Sequence, residues 1–283
     1  MTSSVVVVGD VLLDVTARPT SAIRPGADVP AEVRIGCGGQ GANLATRLAR
    51  QGIGVTLICG LGDDPAASLV AAALRAEGVV LRPVGVTVTG SVVILLDAVG
   101  ERTMLSQRAP FVGDVRIASA EWTVLSGYCL LEDHAAELAH RVAGLASRRV
   151  VVGCTVPEAS RAAWRDAVAA ARPDLLVLNH DEALGLAPID ELSPGTVVTA
   201  SDVIMASVGS TALRVTVPAE SPATDTTGAG DAFAAALIAG LLTGPWPPRR
   251  DVLASVVAKA ALLAGQVARA PGAQAPVAAE AGA

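Results

Sequence analysis

Aromatic residues are nearly absent from this chain: three Trp, two Phe and one Tyr among 283 residues. A core built from such a sequence must be packed by aliphatic side chains, and hydrophobic residues do make up 52% of it. Lysine is scarcer still, Lys259 being the only one. A Walker A loop needs Gly-Lys-Ser/Thr, so that nucleotide motif is excluded. No basic cluster exceeds the pairs Arg148-Arg149 and Arg249-Arg250, and the formal net charge is −6, which gives nucleic acid or an anionic membrane little to hold. No uninterrupted apolar run approaches the roughly twenty residues of a membrane helix, and no basic segment precedes Val5 to Val8 as a signal peptide would require. A cytoplasmic protein is therefore expected. Cys37, Cys59, Cys129 and Cys154 form no C-x-x-C pair, so neither a zinc site nor a disulfide framework is indicated.

What is present is alternation. Val5-Val-Val-Val8 is a continuous β-branched run, as in a strand covered on both faces of a parallel sheet. Helical spacing follows at 42–51, 65–77, 132–147, 158–171, 229–243 and 249–268, with short apolar runs at 55–59, 122–126, 149–153, 174–178, 203–208 and 213–217 between. This pattern predicts a doubly wound α/β fold with a mostly parallel sheet and helices on both faces. Residues 11–35 and 84–107 break it. The first segment carries Pro19, Pro25 and Pro30, and the second alternates in β-prone stretches at Val86 to Thr89, Ser91 to Leu96 and Arg102 to Ser106. Together they are expected to form a small β-flap inserted in a single domain spanning 1–283. The tail from Pro271 is rich in Ala, Pro and Gly and is expected to fray.

Gly36, Gly38 and Gly41 spell G-x-G-x-x-G, with Asp63 placed where an acidic ribose reader could sit. In a dinucleotide fold that fingerprint follows the first strand directly. Here the flap segment intervenes, which argues against NAD.

A second glycine loop, Asp225-Thr-Thr-Gly-Ala-Gly-Asp-Ala-Phe233, precedes Phe233, Leu237, Gly240 and Leu241 at helical spacing. Free amides at a helix start, with the helix dipole, make an anion site. Asp231 among those donors would compete with a phosphate unless it faces an incoming nucleophile. In that role it accepts a hydroxyl proton while the amides of Gly228, Ala229 and Gly230 stabilise charge on a transferred phosphoryl group. The plainer possibility is that Asp231 caps the helix and the glycines make a turn.

Gly38-Gly-Gln-Gly-Ala-Asn43 taken with Asp225 to Phe233 resembles the paired signatures of the ribokinase/PfkB family of carbohydrate kinases. Further matches are Gly9-Asp-Val-Leu-Leu-Asp14, Gly60-Leu-Gly-Asp-Asp64, Gly100-Glu-Arg-Thr103, Asn179-His-Asp-Glu182 and Pro271-Gly-Ala273. The resemblance implies a ribokinase-like fold and transfer of the γ-phosphoryl of Mg-ATP to the hydroxymethyl of a small sugar, with Asp231 as base. It implies that Gly39 packs against the sugar, that Asp14 and Asn43 hydrogen-bond its hydroxyls, and that the flap arginine Arg102 lies on the substrate side. It assigns Asn179, with Gly228 and Gly230, to the nucleotide, and Glu182 to Mg2+, mainly through water. It gives the backbone carbonyls of Asp225 and Thr227 to K+, and it implies a homodimer formed through the β-flap.

The chain also departs from the family. The usual T-x-G-x-x-G nucleotide loop is matched by Ser207-Val-Gly-Ser-Thr-Ala212, so Ser207 and Gly209 are its candidate contacts, with the last glycine lost. Gln40 stands where lysine is frequent, and Arg108-Ala-Pro110 replaces R-G-A. A nucleoside kinase of the same fold is the alternative, with Phe111 and Tyr128 as base-stacking candidates. A non-catalytic sugar- or dinucleotide-binding protein is the remote one.

Overall fold

The structure is a computed structural model, and it describes residues 5–97, 102–109, 115–217, 227–270 and 272–277. Strand β1 (Val5–Val8) leads into β2 (Leu12–Pro19), β3 (Ala31–Gly38), helix α1 (Gln40–Arg50) and β4 (Val55–Leu61). Helix α2 (Pro65–Ala76) then precedes β5 (Val80–Gly85), β6 (Gly90–Leu96), β7 (Arg102–Gln107) and β8 (Trp122–Ser126). Next come α3 (Ala135–Ala143), β9 (Arg148–Val152), α4 (Arg161–Ala171), β10 (Leu175–Asn179) and α5 (His180–Leu186). The chain closes with β11 (Gly195–Thr199), β12 (Val203–Val208), β13 (Thr211–Thr216), α6 (Ala229–Leu242) and α7 (Arg250–Ala268).

Nine strands form the main sheet in the order β13-β12-β11-β10-β9-β8-β1-β4-β5. Every pairing from β5 to β11 is parallel, and only β12 and β13 run against their neighbours. Such a sheet must be covered on both faces, and β1 shows how. Val5 and Val7 enter a core with Leu44, Leu48, Phe233 and Leu237 of α1 and α6. Val6 and Val8 point the other way, into a core with Leu138, Val142, Trp164 and Val168 of α3 and α4. From β1 the chain winds outward to β4 and β5, then returns to place β8 on the other side of β1. The order therefore reverses beside β1, and the carboxyl ends of the strands there open a crevice where ligands of α/β sheets bind.

Over that crevice lies a second sheet, ordered β3-β2-β6-β7. Residues alternate across it, so Leu12, Val92, Ile94 and Met104 face the crevice while Val33, Ile35, Val93 and Leu105 face outward and are exposed.

Several expectations change. Val86 to Thr89 is a bend, and residues 84–85 belong to β5 of the main sheet. Strand β3 runs on to Gly38, so the flap feeds straight into the first glycine loop. Strand β5 escapes the sequence pattern because Arg82 and Pro83 read as a breaker; at the sheet edge proline is tolerated. Strand β11, Gly-Thr-Val-Val-Thr, has only Val197 and Val198 as apolar residues and so does not signal itself. Asp64 caps α2, accepting from the Ala67 amide at 2.8 Å, with Pro65 first in the helix. Helix α7 is long and apolar enough to cross a bilayer, but it buries Leu253, Val257, Ala260 and Val267 inside the fold.

Candidate active site

The crevice at the reversal point is one continuous cleft. It is walled by Asp10 and Asp14 after β1, Gly39, Gln40 and Asn43 at the start of α1, and Arg108 and Met104 from the flap side. Tyr128, Gly153, Asn179, Glu182, Thr199, Thr227, Gly228, Gly230 and Asp231 complete it.

The first glycine loop is shaped by contact with backbone and with one carboxylate. A Cβ on Gly41 would lie 2.5 Å from the Gly9 Cα, and a Cβ on Gly38 would fall 2.0 Å from the Asp14 carboxylate. Gly39 has φ +92° and sits against the Asp10 carbonyl, where only glycine fits. Gly36, by contrast, has nothing near it. The G-x-G-x-x-G spelling is thus incidental: one of its glycines is idle, and Gly39 lies outside it.

Polar groups then fix this loop. Gln40 Nε2 donates to the Gly153 carbonyl at 2.7 Å, and its Oε1 accepts from Ser126 Oγ at 2.7 Å and the Gly127 amide at 3.0 Å. Where a lysine was the common alternative, glutamine ties the loop to the ends of β8 and β9. Asp10 is equally engaged: it accepts from Ser126 Oγ at 3.0 Å and the Gly41 amide at 3.3 Å, and pairs with Arg108 at 2.5 Å. The Arg108 guanidinium also lies 3.4 Å from the centroid of the Tyr128 ring. One face of that ring is therefore covered by a cation rather than open to a base.

Asp14 is different. Its Oδ1 is buried with no hydrogen-bond partner among the described residues. Burial first, and then the neighbouring Asp10 charge, raise its pKa to about 7, against the lowering effect of Arg108. A carboxyl in this state has acceptor capacity that no described protein donor uses.

The second glycine loop opens α6. Gly228 takes φ +76° and presses on Ala273: a Cβ there would stand 2.7 Å from the alanine Cβ. Ala229 and Gly230 begin the helix, so amides of this turn lack intrahelical acceptors. Asp231 lies in the first turn and shares the cleft wall with Gly228 and Gly230. Its carboxyl is enclosed by protein although the residue as a whole is half-buried, and that enclosure raises its pKa to about 7. The Asn43 amide opposes the rise by donating to Asp231 Oδ2 at 2.8 Å. The other end of Asn43 accepts from Gln274 Nε2 at 3.0 Å. Asn43, expected to read sugar hydroxyls, also has each end of its amide engaged once by protein, one of them by Asp231, and keeps a second N–H and a second lone pair.

Asn179 caps α5, its Oδ1 accepting from the Glu182 amide at 2.9 Å, while Glu182 Oε2 accepts from the Asn179 amide at 2.9 Å. This is a capping box. Both residues still line the cleft. Glu182 is raised in pKa, by burial first, because it fills the space over Gly153, where a Cβ would fall 2.3 Å from its Oε2.

Arg102, at the start of β7, donates to Thr227 Oγ1 and so joins the flap to the second loop rather than standing among the cleft-lining residues. Asp225 and Phe111 lie outside the described residues, as do Gly100, Glu101 and Pro271 of the quoted motifs.

Ser207 and Gly209 must be corrected. Strand β12 runs antiparallel to β11, pairing Ser207 with Thr196 and Val208 with Gly195, so Ser207 and the Gly209 turn sit at the amino end of the parallel strands. The cleft lies at the opposite end. The residue that reaches it is Thr199, the last of β11, followed by Ala200-Ser201-Asp202. Without β11 in the sequence pattern, the motif falls one strand too far along. Asp10, Gln40, Arg108, Tyr128 and Gln274 also join the site beyond the residues that the sequence assigned to it. Asp10, Gln40 and Arg108 stand inside or beside quoted motifs and Tyr128 was named only as a base-stacking candidate, whereas nothing local marks Gln274. Among the described residues no cluster of three His, Cys, Asp or Glu could hold a metal by itself.

Comparison with known proteins agrees with this fold. Residues 2–280 match the family model described as pfkB family carbohydrate kinase. Among solved structures, adenosine kinase from Sinorhizobium meliloti superposes with a TM-score of 0.80 at 21% identity, covering 99% of this chain and 98% of its own. Ribokinase from Thermotoga maritima gives 0.77 at 20%, covering 96% and 95%. Fructokinase from Xylella fastidiosa, solved with bound ATP, gives 0.78 at 17%, covering 96% and 94%. No curated protein matches the chain.

Proposed function

This chain belongs to the pfkB family of carbohydrate kinases, and on that premise we propose that it transfers the γ-phosphoryl of ATP to a hydroxymethyl group of a small sugar. The observation that carries the reading is Asp231 in the first turn of α6, beside Gly228 to Gly230 and across one cleft from Asp14.

Asn43 donates to Asp231 Oδ2, a hydrogen bond from Gln40 adds to it, and the carboxylate so held receives the hydroxyl proton. A base with a pKa of about 7 is suited to that work near neutral pH. As the proton leaves, the Gly228, Ala229 and Gly230 amides face the charge on the phosphoryl group. Asp14 accepts from the sugar's other hydroxyls and so orients it. Asn179 and Thr199 form the nucleotide side of the cleft. Glu182, a half-buried carboxylate on that side, would hold Mg2+ largely through water, and the ion would offset the charge of the triphosphate. The flap's inner residues Leu12, Val92, Ile94 and Met104 exclude water when the sugar is bound.

The two β-flap segments act as a lid within a single domain. Its outward face, with Val33, Ile35, Val93 and Leu105 exposed, suits a homodimer through the flap. Four free thiols accord with a cytoplasmic enzyme.

The likeness to an adenosine kinase supports a second reading, a nucleoside kinase. Arg108 over the Tyr128 ring weighs against it, since the ring face a base would stack on is taken. Release of ADP, measured over ribose, hexoses, ketodeoxygluconate, adenosine and pseudouridine, tests both. A sugar as best substrate is expected; turnover of adenosine or pseudouridine alone selects the second reading, and no turnover with any of them rejects both.

A further inference from the structure

Among the described residues, Arg47 is the one charged side chain that is fully buried. It projects from the last turns of α1, and its Nη2 donates to the Ala273 carbonyl at 2.6 Å. One turn on, Arg50 Nη1 donates to the Gln274 carbonyl at 2.8 Å and the rest of its guanidinium pairs with Glu77. Two arginines of one helix thus clamp two consecutive carbonyls of the C-terminal strap. The strap answers back, because the Gln274 side chain holds Asn43, and Asn43 holds Asp231.

The same Ala273 carbonyl abuts the second glycine loop. A Cβ on Gly228 would lie 2.9 Å from its oxygen, so the Arg47 guanidinium and the loop both meet that one carbonyl. Burying a guanidinium is costly unless it is well partnered, and a buried charge acts on its surroundings through a low dielectric. The planar fork of arginine suits carbonyl acceptors in a way an ammonium does not. Here a fixed positive charge stands one carbonyl behind the amides that receive the phosphoryl group.

We propose that Arg47 is a built-in cation and a positioning residue: beneath loop 227–230 it does what a monovalent ion on the backbone carbonyls of Asp225 and Thr227 was expected to do, so the protein works without added potassium. The inference rests on the kinase reading. Covalent attachment makes the charge permanent, so the loop and the strap are organised on folding rather than on ion binding.

The test is ADP binding by the full chain, titrated in potassium chloride and in tetramethylammonium chloride at equal ionic strength with magnesium present. The two dissociation constants should agree within about twofold, whereas linked sites typically show couplings of about 5–150-fold. Tightening by about tenfold or more in potassium overturns the proposal and leaves the kinase reading intact. Absence of ADP binding in both salts removes the kinase reading and this inference with it. Arg47→Met, if folded by circular dichroism, should bind ADP about tenfold or more weakly and regain affinity in potassium or in dilute, non-denaturing guanidinium chloride, with Arg47→Lys intermediate. A folded Arg47→Met that binds as the parent does, or that responds to neither cation, makes Arg47 a packing residue only and overturns the proposal. Should that variant fail to fold, the two-salt titration of the parent decides.

Discussion

Two asparagine–carboxylate pairs face the cleft, and they are built in opposite ways. Asn179 and Glu182 are three residues apart, and each side chain serves the other's backbone amide. Asn43 and Asp231 are 188 residues apart, and the amide donates directly to the carboxylate. In the first pair the hydrogen bonds fix a helix start and leave the chemistry to whatever enters the cleft. In the second, the bond holds a carboxyl raised by burial and favours its charged form. Asp14 makes a third case: a carboxylate raised to about 7, as Asp231 is, but with an oxygen that no protein donor meets among the described residues. The same residue types therefore give a local cap, a carboxylate held from afar and a carboxylate that no described donor meets, depending on which donors reach them.

The sharpest break in this comparison is Asp231→Asn. Turnover should fall by about 10²–10⁴-fold while sugar binding, followed by calorimetry, persists. Undiminished turnover would remove Asp231 as the base. Asp14→Asn should instead act on KM for the sugar, raising it by roughly 10–100-fold, the worth of hydrogen bonds to a charged acceptor, with a smaller effect on kcat. A fall in kcat alone would mean that Asp14 belongs with the base and not with the substrate.

Asn43→Ala separates the long-range pair from the local one. The parent's kcat/KM should rise with pH through about 7 as Asp231 loses its proton. Without the amide that favours the charged form, the rise should move to higher pH, and a displacement of about one pH unit lowers the rate about tenfold on the acid side. A pH profile that does not move shows that the contact is only packing. Asn179→Ala should leave the profile alone and cost about 0.5–2 kcal/mol in unfolding free energy, as a lost N-cap does.

Stability offers the gentlest test. Asp14 and Asp231 hold protons more tightly in the folded protein than in the unfolded chain, whose ordinary value is 3.8. Their ionisation therefore opposes folding. The penalty is absent below about 4 and grows until pH passes about 7. Asp64, Glu77 and Asp251, lowered by hydrogen bonds and arginines, act in the other direction at more acid pH. The urea midpoint of Asp14→Asn/Asp231→Asn should thus gain on the parent's as pH rises from about 5 to about 8. A difference constant with pH would show that neither carboxyl is raised.

Much of this was legible in the chain because it is local. Val5 to Val8 had to be a doubly covered strand, Asp64-Pro65 had to start a helix, and the glycines at 38–41 and 228–230 marked two tight loops. Legibility failed where meaning depends on a neighbour distant in sequence. Pro83 reads as a breaker until β5 is seen at the sheet edge. Ser207-Val-Gly209 reads as a nucleotide loop until antiparallel pairing carries it to the wrong end of the sheet. Arg108 looked like a departure from a motif, and in the fold it bridges Asp10 and Tyr128.

By itself the sequence determined the periodicities: which segments turn every 3.6 residues, which alternate, and where only glycine would do, since these follow from backbone sterics and from one chain meeting water. The tertiary structure alone decided which groups meet across the cleft. That Asn43 reaches Asp231, and that Arg47 faces an inner carbonyl rather than solvent, depends on contacts between helices and loops that no local propensity encodes.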